Sequence, residues 1–531
     1  MATVREVTYD LLRDLGMTTV FGNPGSTEEP FLERFPSDFT YVLALQEASA
    51  VAMADGYAQV TGKPAHVNLH TTPGVGNGMG NLATAWHNRT PLIVSSGQQH
   101  RDMLRLEPLL TNRYAHLLPM PYVKWSYEPA RAQDVPAAFM QAYALAVQPP
   151  SGPVFLSIPM DDWEQPADGA PARRKVSARI AAEPDMLREF VDALAGARNP
   201  AIVFGGGVDR AGGWDDAVRL AEKLRAPVWS APWSMRASFP EDHPQYQGML
   251  PPAIGPVTET LQGHDLILVI GAPVFRYYPY VPGQYLPEGT RLLHVTDDPD
   301  EAARAPVGDS LLADPALACA ALAEQLPASD RSGPQPQSAP SEPEMTTPLS
   351  PDALYATLAR VWPEDGILVE ESPSNMKALK QYLRIKRPAS FFTASSGGLG
   401  YALPASVGIA LGERHTGRRR PVVGVIGEGS FQYSIQALYT AAQHRLPVVF
   451  VVPFNEEYAI LKAFAEFEHT PGVPGLDLPG LDIPTIARGY GCQSQRVESA
   501  DALADALGAA TKAEGPTVLA VPITKKVPAL I

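Results

Sequence analysis

The chain has 531 residues and a formal net charge of −15, with 45% hydrophobic and 19% charged residues. This length is too great for one hydrophobic core and predicts about three domains. The acidic balance argues against nucleic-acid binding, which needs clustered Lys and Arg along the phosphate backbone. The one dense basic run, Arg418–Arg420, is more typical of a solvated turn. We therefore expect no nucleic-acid partner.

The cysteine content and the N-terminal segment bear on location. Two cysteines, Cys319 and Cys492, cannot build a disulfide framework, which favours a reducing compartment. Residues 1–15 mix charged and apolar side chains and lack the apolar core of a signal peptide. No stretch approaches the eighteen apolar residues of a membrane span. We expect a cytoplasmic protein without a membrane segment.

Strand-like apolar runs alternate with helix-like stretches from residue 18 almost to the C terminus. Such alternation is typical of parallel sheets with crossover helices. Polar, Pro-rich stretches interrupt it at 165–174 and, more clearly, at 326–351. The sequence predicts an α/β fold with three doubly wound parallel-sheet domains, at 1–180, 181–330 and 351–531, with a linker at 331–350.

Three consecutive glycines, Gly205–Gly207, follow a predicted strand in the second domain. They could form a phosphate loop, because glycine lets the backbone approach an anion closely. The full dinucleotide-binding fingerprint is absent, and a tight strand-to-helix turn needs glycine anyway. We favour the turn and assign no nucleotide to this domain.

The strongest chemical signal is Gly427-Glu-Gly-Ser430, directly after the apolar run 422–426. A helix-like stretch, 432–444, then leads to a second strand and Asn455. The carboxyl ends of two such strands lie side by side, so Glu428 and Asn455 can reach one ion. Oxygen ligands of this kind suit Mg²⁺ bridging a diphosphate, although a helix N-cap is the simpler reading.

A second candidate acid, Glu47, follows an apolar strand and opens an Ala-rich, nearly uncharged helix that runs through Ala58. A carboxylate in such surroundings is poorly solvated, which suits it to proton exchange near neutrality. Taken alone, a Glu at a helix start is more simply explained by the helix dipole.

Segments in all three predicted domains match one family. The chain resembles the thiamine-diphosphate-dependent decarboxylases, and among them the benzoylformate decarboxylases. The matching segments are FGNPGS at 21–26, LALQE at 43–47, ADGYA at 54–58, His70 with GVGN at 74–77, VKWSYEP at 123–129, GAPVFRY at 271–277, GGLGYALP at 397–404 and VPGLD at 473–477.

The resemblance implies pyrimidine-binding, middle and diphosphate-binding domains, and a homotetramer with active sites between subunits. It implies decarboxylation of a small aromatic 2-keto acid, such as benzoylformate, to an aldehyde and CO₂. Thiamine diphosphate would be held by a divalent cation and would supply the carbon nucleophile, while the protein supplies geometry and electrostatics.

The resemblance also assigns roles to individual residues. Glu47 would hydrogen-bond the aminopyrimidine ring, while Ser26 and His70 would meet the reacting groups of the substrate. Leu399 would enforce a bent cofactor. The other expected cofactor contacts are Asn23, Pro24, Gly25, Ser372, Gly397, Gly429, Ser430 and Tyr458. The expected metal ligands are Glu428, Asn455 and the backbone carbonyl of Glu457, and Leu461 and Phe464 would line the substrate pocket.

The sequence departs from the family at three places. Tyr278 stands where the family has a catalytic histidine, and a phenol is a weaker acid than an imidazolium, so proton delivery would slow or pass to His70. Glu428 replaces an Asp, and its longer side chain could favour Ca²⁺ over Mg²⁺. Near Asn455, Glu456 and Glu457 replace smaller residues. Glu457 could add a carboxylate ligand, but unpaired acids here would repel a diphosphate.

Two alternatives to the decarboxylase remain open at this stage. A carboligase or lyase would use the same cofactor to join or split aldehydes and acyloins. A catalytically silent scaffold would keep the fold while the altered metal loop has lost its cofactor.

Overall fold

The computed structural model describes residues 1–530, which form three six-stranded sheets flanked by helices. Every strand pairing within these sheets is parallel. The prediction of three doubly wound parallel-sheet units is therefore confirmed. No helix among residues 1–530 is both long and apolar enough to cross a membrane.

The first sheet has the strand order β2-β1-β3-β4-β6-β5. Its strands are β1 (Thr19–Gly22), β2 (Thr40–Leu43), β3 (Ala65–Leu69), β4 (Leu92–Gln98), β5 (Ser126–Tyr127) and β6 (Val154–Pro159). Its helices are α1 (Val4–Asp14), α2 (Glu29–Leu32), α3 (Glu47–Thr61), α4 (Thr71–Asn88) and α5 (Val135–Val147).

The second sheet has the order β12-β11-β10-β7-β8-β9, the arrangement of dinucleotide-binding folds. Its strands are β7 (Pro200–Phe204), β8 (Val228–Ser230), β9 (Tyr246–Met249), β10 (Leu266–Ile270), β11 (Arg291–Thr296) and β12 (Asp309–Leu312). Its helices are α6 (Pro184–Gly196), α7 (Gly206–Arg210), α8 (Trp214–Leu224), α9 (Ile254–Thr260), α10 (Pro299–Arg304) and α11 (Pro315–Gln325).

Packing explains the glycines that end β7. A Cβ atom at Gly205 would lie 2.3 Å from the Ala272 Cβ atom, and one at Gly207 would lie 2.8 Å from the Gly271 carbonyl oxygen. The loop after β10 therefore packs onto the turn after β7. The adjoining cavity has a volume of only about 30 Å³, which is room for roughly one water molecule.

The third sheet has the order β14-β13-β15-β16-β18-β17. Its strands are β13 (Ile367–Glu371), β14 (Phe391–Thr393), β15 (Val422–Ile426), β16 (Val448–Phe454), β17 (Gln493–Arg496) and β18 (Thr517–Pro522). Its helices are α12 (Pro351–Arg360), α13 (Met376–Tyr382), α14 (Ala402–His415), α15 (Glu428–Gln432), α16 (Ala437–Gln443), α17 (Ala459–Phe467), α18 (Ile483–Gly489) and α19 (Ala500–Ala510).

The first and third sheets share one topology and one hydrophobic core. Numbered from its own first strand, each has the order 2-1-3-4-6-5. Their helices α3 and α14 pack so closely that a Cβ atom at Gly56 would lie 2.3 Å from the Ala405 carbonyl oxygen. Apolar side chains from both units, including Met53 and Val407, belong to the same buried cluster. The two units therefore form one packed body.

The two Pro-rich stretches contain little regular structure. Residues 167–183 form no helix or strand, and residues 326–350 run mostly exposed until Leu349 pairs with Ile523 beside the third sheet. The domain boundaries at 180, 330 and 350 stay predictions.

Candidate active site

The candidate site residues lie at the carboxyl ends of strands at equivalent positions in the first and third sheets. In an open parallel sheet of order 2-1-3-4, ligands bind at the carboxyl ends of strands 1 and 3. The connections from these two strands run to opposite sides, which leaves a crevice between them. In the first sheet this point lies between β1 and β3, which are followed by Asn23 and His70. In the third it lies between β13 and β15, which are followed by Ser372 and Gly427.

Glu47 begins α3, as predicted, and its carboxylate is buried. Its Oε1 atom accepts a hydrogen bond of 3.2 Å from Asn23 Nδ2, and its Oε2 atom accepts one of 3.0 Å from Asn77 Nδ2. Because two side-chain amides occupy the two oxygens, the carboxylate is held in one orientation.

His70 follows β3 and is oriented by Glu28, which the sequence reasoning missed. His70 Nδ1 lies 2.7 Å from Glu28 Oε2, and the Glu28 side chain is fully buried. Glu28 also accepts hydrogen bonds from the Gly25 and Gly97 N–H groups and from the Thr27 hydroxyl. Burial raises the pKa of Glu28, while the hydrogen bond to His70 lowers it. With Nδ1 facing Glu28, the Nε2 atom of His70 is left for a substrate.

The loop after β1 brings the other predicted residues to the same place. Pro24 and Ser26 are exposed on this loop. Gly25, expected to contact the cofactor, packs against the imidazole, since a Cβ atom there would lie 2.1 Å from His70 Nδ1. Close approach of that ring therefore requires glycine.

The loop after β15 places Glu428 beside the end of β16. Glu428 Oε1 accepts hydrogen bonds from the Asn455 N–H group at 2.9 Å and from the Glu457 N–H group at 3.3 Å. Burial raises the pKa of Glu428, against these N–H donors, which lower it. The adjacency predicted for Glu428 and Asn455 is present, because β15 and β16 are neighbours.

Three polar groups converge at this point. The end of the Asn455 side-chain amide lies 3.1 Å from Glu428 Oε1 and 3.0 Å from the Glu457 carbonyl oxygen, and its nitrogen on that side donates to both. With the amide turned over, its oxygen would take the same place, so that three oxygen atoms could share one cation. Oxygen atoms about 3 Å apart can be neighbours around a divalent cation such as Mg²⁺ or Ca²⁺.

Within residues 1–530, no three His, Cys, Asp or Glu side chains form a group that could hold a metal ion. The oxygens gathered here come instead from one carboxylate, one amide and one carbonyl. Such a set is compatible with Mg²⁺, which binds few protein ligands and shares the rest with water and phosphate.

Both acids that follow Asn455 have a lysine partner. The Glu457 carboxylate pairs with Lys462, and Glu456 Oε2 lies 3.1 Å from Lys525 Nζ. Lys525 is 69 residues from Glu456 in the sequence, whereas Lys462 follows Glu457 by five residues. Neither spacing is the three or four residues that bring side chains together on one helix, so both pairings depend on the fold of the loop. The Glu457 carboxylate is thus engaged by a lysine, while its carbonyl faces Asn455.

The turn Gly397–Gly400 carries Leu399 and lies beside the first sheet of the same chain. Gly397 and Gly400 have φ angles of +73° and +97°, which favour glycine. Glu371, at the end of β13, accepts hydrogen bonds from the N–H groups of Gly400, Tyr401 and Ala402. Burial raises the pKa of Glu371 to about 8. Sequence reasoning missed this buried acid as well.

A single amide joins the two halves of the candidate site. Asn81 Nδ2 donates to the Ala48 carbonyl at 2.9 Å and to the Gly400 carbonyl at 3.2 Å. Ala48 adjoins Glu47, and Gly400 adjoins Leu399. Within one chain, the start of α3 therefore lies next to the glycine turn.

The remaining predicted residues line the surroundings of Glu428. Ser372 and Ser430 are buried at the ends of β13 and β15. A Cβ atom at Gly429 would lie 2.2 Å from the Tyr458 ring, so glycine makes room for that ring. On α17, the exposed Leu461 precedes Phe464, whose ring stacks on Tyr278 with the centroids 4.8 Å apart.

Comparison with known proteins identifies the family. Three family models match the chain in order: the N-terminal TPP binding domain of thiamine pyrophosphate enzymes at residues 2–116, the central domain at 187–322 and the C-terminal TPP binding domain at 374–521. Thiamine pyrophosphate is another name for thiamine diphosphate.

Full-length relatives agree with these matches. Benzoylformate decarboxylase of Pseudomonas aeruginosa is 48% identical, over 98% of this chain and 99% of its own. The crystal structure of benzoylformate decarboxylase from Polynucleobacter necessarius has a TM-score of 0.98 and 52% identity, with complete coverage of both chains. The 4-hydroxybenzoylformate decarboxylase of Rhodococcus jostii RHA1 has a TM-score of 0.96 and 44% identity, over 99% of this chain and 100% of its own. The chain therefore belongs to the thiamine pyrophosphate enzymes, in the branch that contains the benzoylformate decarboxylases.

Proposed function

We propose that the protein decarboxylates benzoylformate, or a close aromatic 2-keto acid, to an aldehyde and CO₂ with thiamine diphosphate and Mg²⁺. The observation that carries the proposal is the pairing of two features at equivalent sheet edges. One is the Glu47 carboxylate, fixed by Asn23 and Asn77. The other is the oxygen group of Glu428, Asn455 and the Glu457 carbonyl. Together they suit a molecule with a basic ring at one end and a metal-bound diphosphate at the other.

The cofactor, when bound, supplies the carbon nucleophile and accepts the electrons that decarboxylation releases. Glu47 would exchange a proton with the aminopyrimidine ring. Gly397 and Leu399 would hold that ring and the bend of the cofactor, and Ser372, Ser430 and Tyr458 would surround the diphosphate.

The substrate would lie between the loop after β1 and α17. Ser26 and the Nε2 atom of His70 would meet its carboxylate and carbonyl, since Glu28 already engages Nδ1. Phe464 and Leu461 would contact its aromatic ring. Tyr278 presents a flat ring against Phe464, which suits an aromatic substrate and leaves proton delivery to His70.

We also propose a homotetramer with active sites between subunits. Monomeric proteins rarely expose large contiguous apolar patches. Yet residues 103–120 expose several large apolar side chains, among them Leu106 at 64%, Leu109 at 86% and Leu117 at 53%. A second copy of the chain would cover them. The free, buried Cys319 and Cys492 support a reducing, cytoplasmic location.

The direct test is an assay of the purified protein loaded with thiamine diphosphate and Mg²⁺. We expect CO₂ release and benzaldehyde formation from benzoylformate, and slower turnover of aliphatic 2-keto acids. Absence of CO₂ release from every aromatic 2-keto acid tried would overturn the proposal.

A carboligase is the second candidate, and Tyr278 favours it. Slow protonation of the intermediate would leave time for capture by an added aldehyde. The same assay with added aldehyde separates the two, because an acyloin product would identify carboligation. The scaffold alternative was motivated by Glu428 and Glu457, and the pairing of the Glu457 carboxylate with Lys462 leaves only Glu428 in its support.

A further inference from the structure

A lysine in α17 joins three parts of the chain near the oxygen group. Lys462 Nζ contacts the Glu457 carboxylate and lies 2.7 Å from Asp477 Oδ1. The Glu457 side chain is 7% exposed and that of Lys462 is 28% exposed. The buried acid therefore has a partly shielded cationic partner.

The segment that carries Asp477 folds back over the metal loop. The Tyr458 N–H group donates to the Leu476 carbonyl at 2.8 Å, and the Leu478 N–H group donates to the Glu456 carbonyl at 2.8 Å. Lys462 thus connects this returning segment to Glu457. It does so from the same helix that carries Leu461 and Phe464.

The position of Glu457 makes its charge important. Its carbonyl oxygen belongs to the group that would hold Mg²⁺, and its Oε1 atom lies 3.4 Å from the Asn455 side-chain amide, so its carboxylate is also near the place where a multiply charged diphosphate would bind. Like charges a few ångströms apart in a partly buried site repel strongly, since screening by water is weak there. An acid is compatible with this position only if its charge is cancelled.

We propose that Lys462 is a positioning residue that makes Glu457 compatible with the cofactor. By pairing with the carboxylate, Lys462 offsets the charge of the buried Glu457 and fixes its orientation, whereas the second partner of Lys462, Asp477, is exposed to water. This inference rests on the proposed function only in placing the diphosphate at Glu428, Asn455 and the Glu457 carbonyl.

A purely structural salt bridge would behave differently. Loss of Lys462 leaves the buried Glu457 without its partner, so a purely structural salt bridge would lower the melting temperature when it is lost and would leave the cofactor affinity of the folded protein unchanged. Cofactor affinity is therefore the readout that distinguishes the two roles.

The experiment titrates the full-length apoprotein with thiamine diphosphate at fixed Mg²⁺ by calorimetry. For Lys462→Met we expect the dissociation constant to rise at least tenfold. Adding Glu457→Gln to that variant should restore it to within about threefold of wild type, and Lys462→Arg should also bind within about threefold. The single Glu457→Gln variant completes the double-mutant cycle.

Lys525→Met is the matched control, because it removes the partner of the neighbouring acid, Glu456. We expect its dissociation constant to stay within about twofold of wild type. The defect of Lys462→Met should also shrink as salt is raised from about 0.05 to 0.5 M, since screening weakens the repulsion.

Wild-type-like affinity of Lys462→Met, or no recovery in the double variant, would overturn the inference. The proposed function fails separately. If the wild type binds the cofactor but releases no CO₂ from aromatic 2-keto acids, the decarboxylase assignment is wrong while the affinity series still tests Lys462.

Discussion

The proposed role of Glu47 depends on its carboxylate, which two side-chain amides hold in place. The substitution that tests this role should therefore remove the charge and keep the size of the side chain. Glu47→Gln keeps the size of the side chain but loses the group that exchanges a proton with the cofactor. We expect turnover of benzoylformate to fall by at least about a hundredfold, with a much smaller change in cofactor affinity. Steady-state kinetics and a cofactor titration measure both. Near-normal turnover would exclude this role for Glu47.

Glu28 gives a prediction for the orientation of His70. Glu28→Gln removes the carboxylate that fixes Nδ1, and the imidazole loses its preferred tautomer and direction. Loss of such supporting contacts typically costs about ten- to a hundredfold in activity, and we expect a loss of that size in kcat/KM. Glu29→Gln, at the exposed neighbouring acid, is the control and should leave kcat/KM unchanged. An equal effect of the two changes would contradict the assignment.

His66 predicts how stability depends on pH. It is fully buried on β3, 2.8 Å from Ser95 Oγ, and burial lowers its pKa to about 3. Between about pH 6.5 and pH 3 the unfolded chain binds a proton at this histidine that the folded chain does not, so stability falls as pH falls. From pH 7 to pH 5 the loss amounts to about 2 kcal/mol.

The test compares wild type with His66→Gln in denaturant at pH 7 and pH 5. The variant should lose about 2 kcal/mol less between the two pH values, because it lacks the group that takes up the proton. Parallel pH profiles of the two proteins would show that His66 is not kept neutral by the fold.

Among individual residues, the sequence predicted those that can be recognised from their immediate neighbours in the chain. Glu47 stands out because an apolar strand and an Ala-rich helix flank it, and Glu428 and Asn455 because they end neighbouring strands. Glu28 and Glu371 were missed because an acid beside a loop looks solvated until the fold brings N–H groups to it. The lysine partners of Glu456 and Glu457 were missed for the same reason.

Among the elements, the crossing of α3 and α14 sets how closely the first and third sheets approach. A Cβ atom at Gly408 would lie 1.8 Å from the Met53 carbonyl oxygen, whereas one at Gly508 in α19 would meet no atom within 4 Å. We expect Gly408→Ala to destabilise the protein by about 2 to 3 kcal/mol, since the backbones must separate. Gly508→Ala should stabilise it by about 0.5 to 1 kcal/mol through the restricted unfolded chain.

Thermal unfolding of the two glycine variants measures this difference. Cofactor affinity should also fall in Gly408→Ala, because α14 follows the Gly397–Gly400 turn directly. If Gly408→Ala left the free energy of unfolding unchanged, α3 and α14 would be able to separate at little cost, contrary to this prediction.

The predicted elements match the structure where the sequence of a strand or helix is enough to determine that element. The strands before Glu47 and Glu428 were expected, and so was the start of α3. The helix expected at 432–444 is instead interrupted between Gln432 and Ala437. Ser434 Oγ in this gap donates to the Gly400 carbonyl at 2.6 Å, a long-range contact that no local pattern could indicate.

For the whole molecule, the sequence predicted three parallel α/β units but not how they share surfaces. The first and third sheets have the same strand order, and the amide of Asn81 places Ala48 next to Gly400 in one chain. Local periodicity predicts which face of an element is apolar. It does not state which other unit covers that face, so the common core of α3 and α14 could not be foreseen.

Subunit mixing tests whether each active site needs two chains. One subunit type carries Glu47→Gln and the other Glu428→Gln, and each homo-oligomer should be nearly inactive. If Glu47 of one subunit faces Glu428 of another, a mixed dimer has one site without either change, and activity should return after co-refolding. If both residues of a site belong to one chain, every site keeps one change and mixing restores nothing.

The within-chain contact of Asn81 with Ala48 and Gly400 makes the second outcome a real alternative. Recovery of about a quarter of wild-type activity is expected for an equal, random mixture of dimers, because half of the dimers are mixed and each has one intact site of two.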